Sequence, residues 1–150
     1  MADYLVLDNS LIIDNYNSII KRIALGTTYG ELKEKISTNG NIEIISNDGL
    51  EITNDSIIKT GDIISISFDD ISFSYKLSVL GDLAGTGTVT VGDVGRLYRH
   101  LKQRDTIDDE AFLAAGDIIN DGNIRVNDVG KLYGYLKKRV TSLEAVEWKK

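Results

Sequence analysis

Asp82 and Asp93 frame a stretch that is repeated further along the chain by Asp117 and Asp128. In each stretch a glycine, Gly87 or Gly122, lies sixth from the opening aspartate, and the closing aspartate lies twelfth. This is the frame of an EF-hand-type calcium loop, in which the sixth-position glycine permits a sharp turn and the twelfth-position carboxylate comes from the start of the exiting helix. Calcium takes about six to eight hard oxygens, drawn in such loops from positions 1, 3, 5, 7, 9 and 12. The first loop offers Asp82, Ala84, Thr86, Thr90 and Asp93 at the side-chain positions, hence two carboxylates and two hydroxyls. The second offers Asp117, Ile119, Asp121, Arg125 and Asp128, hence three carboxylates. The second loop is therefore the candidate Ca2+ site, with Asp117, Asp121, Asp128 and the carbonyl of Asn123 as ligands. In the first, Asp82 and Asp93 read as vestigial ligands. Position 3 is aliphatic in both, and Ala84 and Ile119 are expected to tuck inward and hold the loops by apolar contact.

The elements around these loops repeat as well. Residues 81–104 aligned with residues 116–139 give 12 identities in 24 positions without a gap. A repeat of this length cannot bury an apolar stripe alone, so the two copies are expected to pack on each other. A helix should follow each loop, over 93–104 and 128–139, with a short third helix over 108–115 between them. Residues 1–80 read differently. β-branched runs at 4–7, 11–13 and 19–25 are broken by Asp, Asn and Ser, and Asn47-Asp48-Gly49 signals a hairpin between 42–46 and 50–53. Asp69-Asp70 joins alternating runs at 63–68 and 71–80. Thr28 with Glu31 makes a capping box for one helix, with Leu32 and Ile36 on its apolar face and an end at Asn39-Gly40. The expected fold class is thus an α+β module, β-β-α-β-β and β-grasp-like, over 1–80, followed by an all-α module of two loop–helix motifs over 81–150. Charge agrees with this boundary: residues 1–80 carry 6 basic against 12 acidic groups, and residues 81–150 carry 11 of each.

The doubled pattern Gly-Asp-…-Gly-…-Asp-Val-Gly-(Arg/Lys)-Leu-Tyr-…-Leu-Lys resembles the dockerin family, of type I-like character with degenerate calcium loops. The resemblance covers residue 81 to about 140. It implies two EF-hand-like segments without entering helices, a cohesin partner on a scaffold protein, and a place in an extracellular or cell-surface bacterial assembly of the cellulosome kind. It also implies docking in either of two orientations related by about 180°. The segment 1–80 is similar to the accessory, X-type modules found before dockerins.

Two stripes run along each expected helix. Val94, Leu97 and Leu101, with Val129, Leu132 and Leu136, have the spacing of a buried seam. Val91, Gly95, Tyr98 and Lys102, repeated as Val126, Gly130, Tyr133 and Lys137, form a second stripe rotated from the first. Glycine within a helix costs roughly 0.5–1 kcal/mol relative to alanine, and here it stands twice at equivalent places. Either each glycine lets the two repeats pack, or a partner rests on a glycine floor between Val and Tyr. Tyr98 and Tyr133 are core residues on the first account and interface anchors on the second. The candidate partner-binding set is Val91, Gly95, Arg96, Tyr98, Arg99, Lys102, Val126, Asn127, Gly130, Lys131, Tyr133 and Lys137. Its basic members would complement an acidic partner; His100 reads as a partly buried surface residue.

Composition excludes other classes. With 42% hydrophobic residues the chain can bury a core, and zero cysteines rule out disulfides and thiolate metal sites. No apolar run is long enough to span a membrane, and no signal peptide is evident, so the chain is expected to be a fragment of something larger. No nucleophile–base pair points to an enzyme. A pI near 4.7 speaks against nucleic acid. A single methionine argues against a calcium sensor with a Met-rich groove. A calcium-binding or self-associating module not directed at a cohesin, including a homodimer through the Tyr/Gly stripe, remains the alternative.

Overall fold

The computed structural model describes residues 4–104 and 106–137. Seven strands and four helices follow one another: β1 (Leu5–Leu7), β2 (Ile12–Asp14), β3 (Ile19–Ile23), α1 (Tyr29–Glu34), β4 (Ile36–Thr38), β5 (Asn41–Ile45), β6 (Ile63–Ser67), β7 (Ser72–Val79), α2 (Val91–Leu101), α3 (Glu110–Gly116) and α4 (Val126–Leu136). Strands β1 and β4 pair as a small antiparallel ribbon. The other five form a sheet of order β2-β3-β7-β6-β5, antiparallel throughout except for the parallel pair β3–β7.

Local chemistry accounts for most of these elements. In β6, Ile64 and Ile66 are fully buried while their neighbours are half-exposed, as alternation requires of a half-buried strand. Inner strand β3 buries Ile19, Ile20 and Ile23, a run too continuous for a one-faced strand and suited to parallel pairing. The turn at Asp69-Asp70 closes a tight hairpin, with Phe68 N–H donating to the Ile71 carbonyl at 2.7 Å. Thr28 caps α1 through the expected reciprocal box with Glu31.

The expected fold class is overturned. The chain is a mixed α/β fold with a five-stranded mixed sheet, a two-stranded sheet and four helices among the described residues, not a β-β-α-β-β module followed by an all-α module. Helix α3 packs on β3 and β7 and so joins the C-terminal segment to the sheet. Gly81 N–H donates to the Ala115 carbonyl at 2.8 Å and the Ser78 hydroxyl to the Ala111 carbonyl at 2.7 Å. The Lys76 ammonium pairs with Asp109, the cap of α3, at 2.7 Å. Two local features hid the true layout. Helix α1 stops at Glu34, and Ile36, read as its apolar face, opens β4. Residues 50–53 form no strand; Asn47-Asp48-Gly49 starts a long loop, and β5 pairs with β6 instead.

The apolar interior has two parts. One lies on the sheet around Ile20, Leu32, Ile58, Ile64 and Leu77. The other joins Leu80, Leu83, Leu97, Ile107, Ala115, Ile118 and Leu132 beneath the two loops, with Leu25 touching both. The expected packing of the repeats is present: α2 lies against α4, with Leu97 and Leu132 fully buried.

Candidate functional site

Both loops adopt the turn their glycines imply. Gly87 and Gly122 have φ of +86° and +85°, a region open to glycine at no steric cost. Position 4 is also left-handed in each, filled by Gly85 in one loop and by Asn120 in the other. The helices begin two residues before the twelfth-position aspartates, so Asp93 and Asp128 sit in the first turns of α2 and α4. There each carboxylate reaches back to the loop. Asp93 accepts from Thr90 N–H and Ala84 N–H; Asp128 accepts from Arg125 N–H and Ile119 N–H.

The second loop gathers Asp117, Asp121 and Asp128, each contributing a carboxylate oxygen within 4.8 Å of the others. Oxygens sharing one calcium at about 2.3–2.6 Å lie no more than roughly 5 Å apart, so this donor set fits a single hard cation. Burial raises the Asp128 carboxyl above the usual aspartate value; the N–H bonds from Ile119 and Arg125 oppose the shift, and the charges of Asp117 and Asp121 add to it. Arg125 partly offsets this charge from the exposed side, 3.2 Å from Asp121. Asn123, the expected carbonyl ligand, is exposed, and its N–H donates to Asp121.

The first loop differs at its opening aspartate: Asp82 is fully buried, where Asp117 is half-buried, and one of its N–H donors, Thr60, comes from outside the loop. Ala84 does not tuck inward: it is exposed, and its N–H, not its methyl, ties the loop to Asp93. Ile119 is half-buried.

The second stripe is on the surface in both copies. Val91 and Val126 are 72% and 68% exposed, and Tyr98 and Tyr133 are 43% and 40% exposed. Lys102 lies over the Tyr98 ring at 5.7 Å and Lys137 over the Tyr133 ring at 5.6 Å, the same cation–π pair in each repeat. A Cβ built on Gly130 would meet nothing within 4 Å, and one on Gly95 would meet the mobile end of Arg99 at 3.3 Å. Packing between the repeats is therefore not what these glycines serve. Asn127 and Arg99 are exposed beside the stripe. Arg96 and Lys131 are not part of the open surface. Arg96 is half-buried, donates to the Leu83 carbonyl and lies over the Phe112 ring, and Lys131 is 3% exposed. His100 accepts from Ile107 N–H through Nδ1 and so closes the turn after α2. Lys138, Arg139 and the segment 140–150 with Trp148 lie outside the described residues.

Four residues whose long-range contacts the sequence patterns did not show tie the loops to the rest of the chain. Thr60 and Asn47 hold the first loop, and buried Asp62 accepts from Asn47 N–H and Lys59 N–H. Arg22 holds the second: its guanidinium donates to the carbonyls of Asp117 and Ile118 at 2.9 and 3.1 Å. Arg22 reaches them from a bulge in β3, at a φ of +70°. No local signal marks these positions, because their partners lie far away along the chain.

No protein-family model matches the chain, and comparisons with curated proteins and with solved structures likewise give no match. Among the described residues, no helix is long and apolar enough to cross a membrane.

Proposed function

We propose that residues 81–137 carry a dockerin-like docking surface that anchors the parent protein to a cohesin-type module on a scaffold or cell surface. The observation that carries this is the pair of open glycines. Gly95 and Gly130 each weaken a helix, neither is needed by the packing of this chain, and each lies between an exposed valine and an exposed tyrosine. A floor without side chains between an apolar knob and an aromatic anchor suits a partner backbone approaching closely. Lys102 and Lys137 orient the tyrosine rings and add positive charge at the edge, which favours an acidic partner surface. Since the stripe occurs twice, either α2 or α4 can present it, giving two docking orientations.

Calcium in the second loop would be held by Asp117, Asp121, Asp128 and the Asn123 carbonyl. It would offset the mutual repulsion of three carboxylates and fix the start of α4. The test is titration calorimetry against a panel of cohesin modules, with Tyr98 and Tyr133 changed to Ala singly and together. Binding that survives either single change and is lost in the double variant is the expected result. A folded protein that binds no cohesin removes the reading, and concentration-dependent dimerisation abolished by the double variant would replace it with self-association.

A further inference from the structure

In an EF-hand-type loop a cation gathers oxygens from both ends and so sets the angle of the exiting helix. The first loop does not fit that cation. Position 3 is Ala84, without an oxygen, and the Thr86 hydroxyl at position 5 is turned to Thr88 at 3.3 Å. The Thr90 hydroxyl at position 9 caps α2 by accepting from Gly92 N–H at 3.2 Å. Asp93 places one oxygen on Ala84 N–H at 2.8 Å and the other on Thr90 N–H at 2.7 Å, as Asp128 does with Ile119 and Arg125 N–H, so the difference between the loops lies at positions 1 and 5.

Asp82 is fully buried and accepts three backbone N–H groups. Thr86 N–H donates to one oxygen at 2.9 Å; Gly87 N–H and Thr60 N–H donate to the other at 2.9 and 3.0 Å. Thr60 does not belong to the loop. It comes from the segment leading into β6, and it is held there on several sides. Its hydroxyl accepts from Val79 N–H at 2.9 Å and donates to the Val79 carbonyl at 3.2 Å. Asn47 Nδ2 bridges the carbonyls of Thr60 and Gly85 at 2.8 and 3.0 Å. Buried Asp62 fixes Asn47 N–H and Lys59 N–H at 2.8 and 2.9 Å. The fit is close: a Cβ at Gly85 would stand 2.8 Å from the Thr60 carbonyl oxygen. In the second loop, Asp117 takes the equivalent three N–H groups from Asn120, Asp121 and Gly122, all within the loop, and is only half-buried.

We propose that the first loop is a metal-free joint in which Thr60 and Asn47, presented by the connection between β5 and β6, do the work of a cation, so that α2 keeps its docking geometry when divalent cations are withdrawn. The statement about α2 docking rests on the docking reading above, whereas the metal-free joint stands without it. Charge-assisted N–H bonds to a buried carboxylate are among the stronger hydrogen bonds, and three of them converge on Asp82. Fixed by the connection between β5 and β6, the joint holds the first turn of α2 in place through Asp93 and Ala84.

The deciding measurement is amide hydrogen exchange on the full chain with calcium and with excess EDTA. Protection at Thr60, Thr86 and Gly87 is expected to change less than threefold on chelation. In Asn47→Ala, and in the milder Asn47→Ser, the same three amides should exchange at least tenfold faster in either condition. A tenfold loss of protection at Thr86 and Gly87 on chelation of the unaltered chain would overturn the proposal, since the loop would then depend on metal. A second arm uses Tyr133→Ala, which leaves only the α2 face: its Kd for a cohesin module should be the same within threefold with calcium or EDTA. Failure of every variant to bind would reject the docking reading, and the exchange arm would still decide the joint.

Discussion

Replacing both stripe glycines with alanine should make the protein more stable and a poorer binder. Each of Gly95 and Gly130 lies inside an eleven-residue helix, where alanine is preferred by roughly 0.5–1 kcal/mol. At Gly130 the new methyl meets nothing, and at Gly95 only the flexible end of Arg99, so neither substitution carries a steric penalty to offset that gain. Because the sites lie on different helices, the two gains should add to about 1–2 kcal/mol. For a chain of this length that is a rise in Tm of roughly 2–8 °C by scanning calorimetry. Against a cohesin partner the same methyls stand on the floor of each docking stripe. Overpacking a close contact costs about 1–3 kcal/mol, so the double variant should bind roughly 5- to 150-fold more weakly. Either single variant keeps one unaltered face and should lose about twofold at most, the statistical weight of one of two orientations. Gly116→Ala is the contrasting control. Its Cβ would stand 2.8 Å from Leu97 Cδ1 and 3.1 Å from Leu83 Cδ2, so the same substitution should lower Tm. A fall in Tm for Gly95→Ala/Gly130→Ala would mean that the glycines serve the fold. A rise in Tm with undiminished affinity would mean that no partner rests on them.

Leu132→Ala should destabilise the chain by about 2–5 kcal/mol in urea unfolding, because Leu132 is fully buried between the repeats and its loss leaves a cavity. Calcium binding to the second loop should strengthen as pH rises through the acid range, read by calorimetry between about pH 4 and 7. The Asp128 carboxyl titrates above the ordinary aspartate value, so without metal its contribution favours the fold below that value and declines as pH rises through the folded pKa. A bound cation should reverse that slope, and a pH-independent affinity would count against Asp128 as a ligand. Arg22→Ala should cost about 2–4 kcal/mol, since two carbonyls of the second loop lose a charged donor. Arg22→Gly should cost about 1 kcal/mol less than Arg22→Ala, because glycine relieves the φ of +70°. Equal losses would show that the bulge stores no strain.

What could be read from the residues was whatever depends on neighbours a few positions away. The loop frame, the capping box at Thr28, the hairpin at Asp69-Asp70 and the separation of the Leu97 and Tyr98 stripes all follow from local spacing and appear in the structure. The parallel pairing of β3 with β7 was hidden because its partners lie more than fifty residues apart and pattern alone does not choose a parallel neighbour. Ile36 fits a helical stripe through Leu32 as well as it fits a strand, and only pairing with Leu7 in β1 decides between them. The largest gap concerned the contacts between sheet and loops. Thr60 holds Asp82 through its backbone N–H, a group every residue but proline possesses, and its hydroxyl reaches Val79, far along the chain, so no local pattern marked it. Arg96 and Lys131 read as surface cations by type, yet Arg96 stacks on Phe112 and Lys131 is buried.

The two repeats agree at nearly every buried position, and on the surface they agree along one stripe. Positions 3, 5 and 9 of the loops are all substituted between copies, whereas Val, Gly, Tyr and Lys of the exposed stripe are unchanged. Folding does not explain that agreement. An exposed valine gains little from burial and is a poor helix former, and the open glycines weaken the helices further. On the docking reading proposed above, a single partner surface accepting either copy would supply the pressure toward sameness. The supports beneath these equal faces are unequal. Thr60 and Asn47 fix the first loop through side-chain and backbone hydrogen bonds, whereas Arg22 donates to main-chain carbonyls of the second, where three carboxylates lie close enough together to hold a cation. Faces that offer a partner the same contacts can then differ in occupancy through the rigidity of what lies below them. The preference between orientations should accordingly follow calcium concentration more closely than it follows substitutions such as Arg99 against Gly134 at the rim.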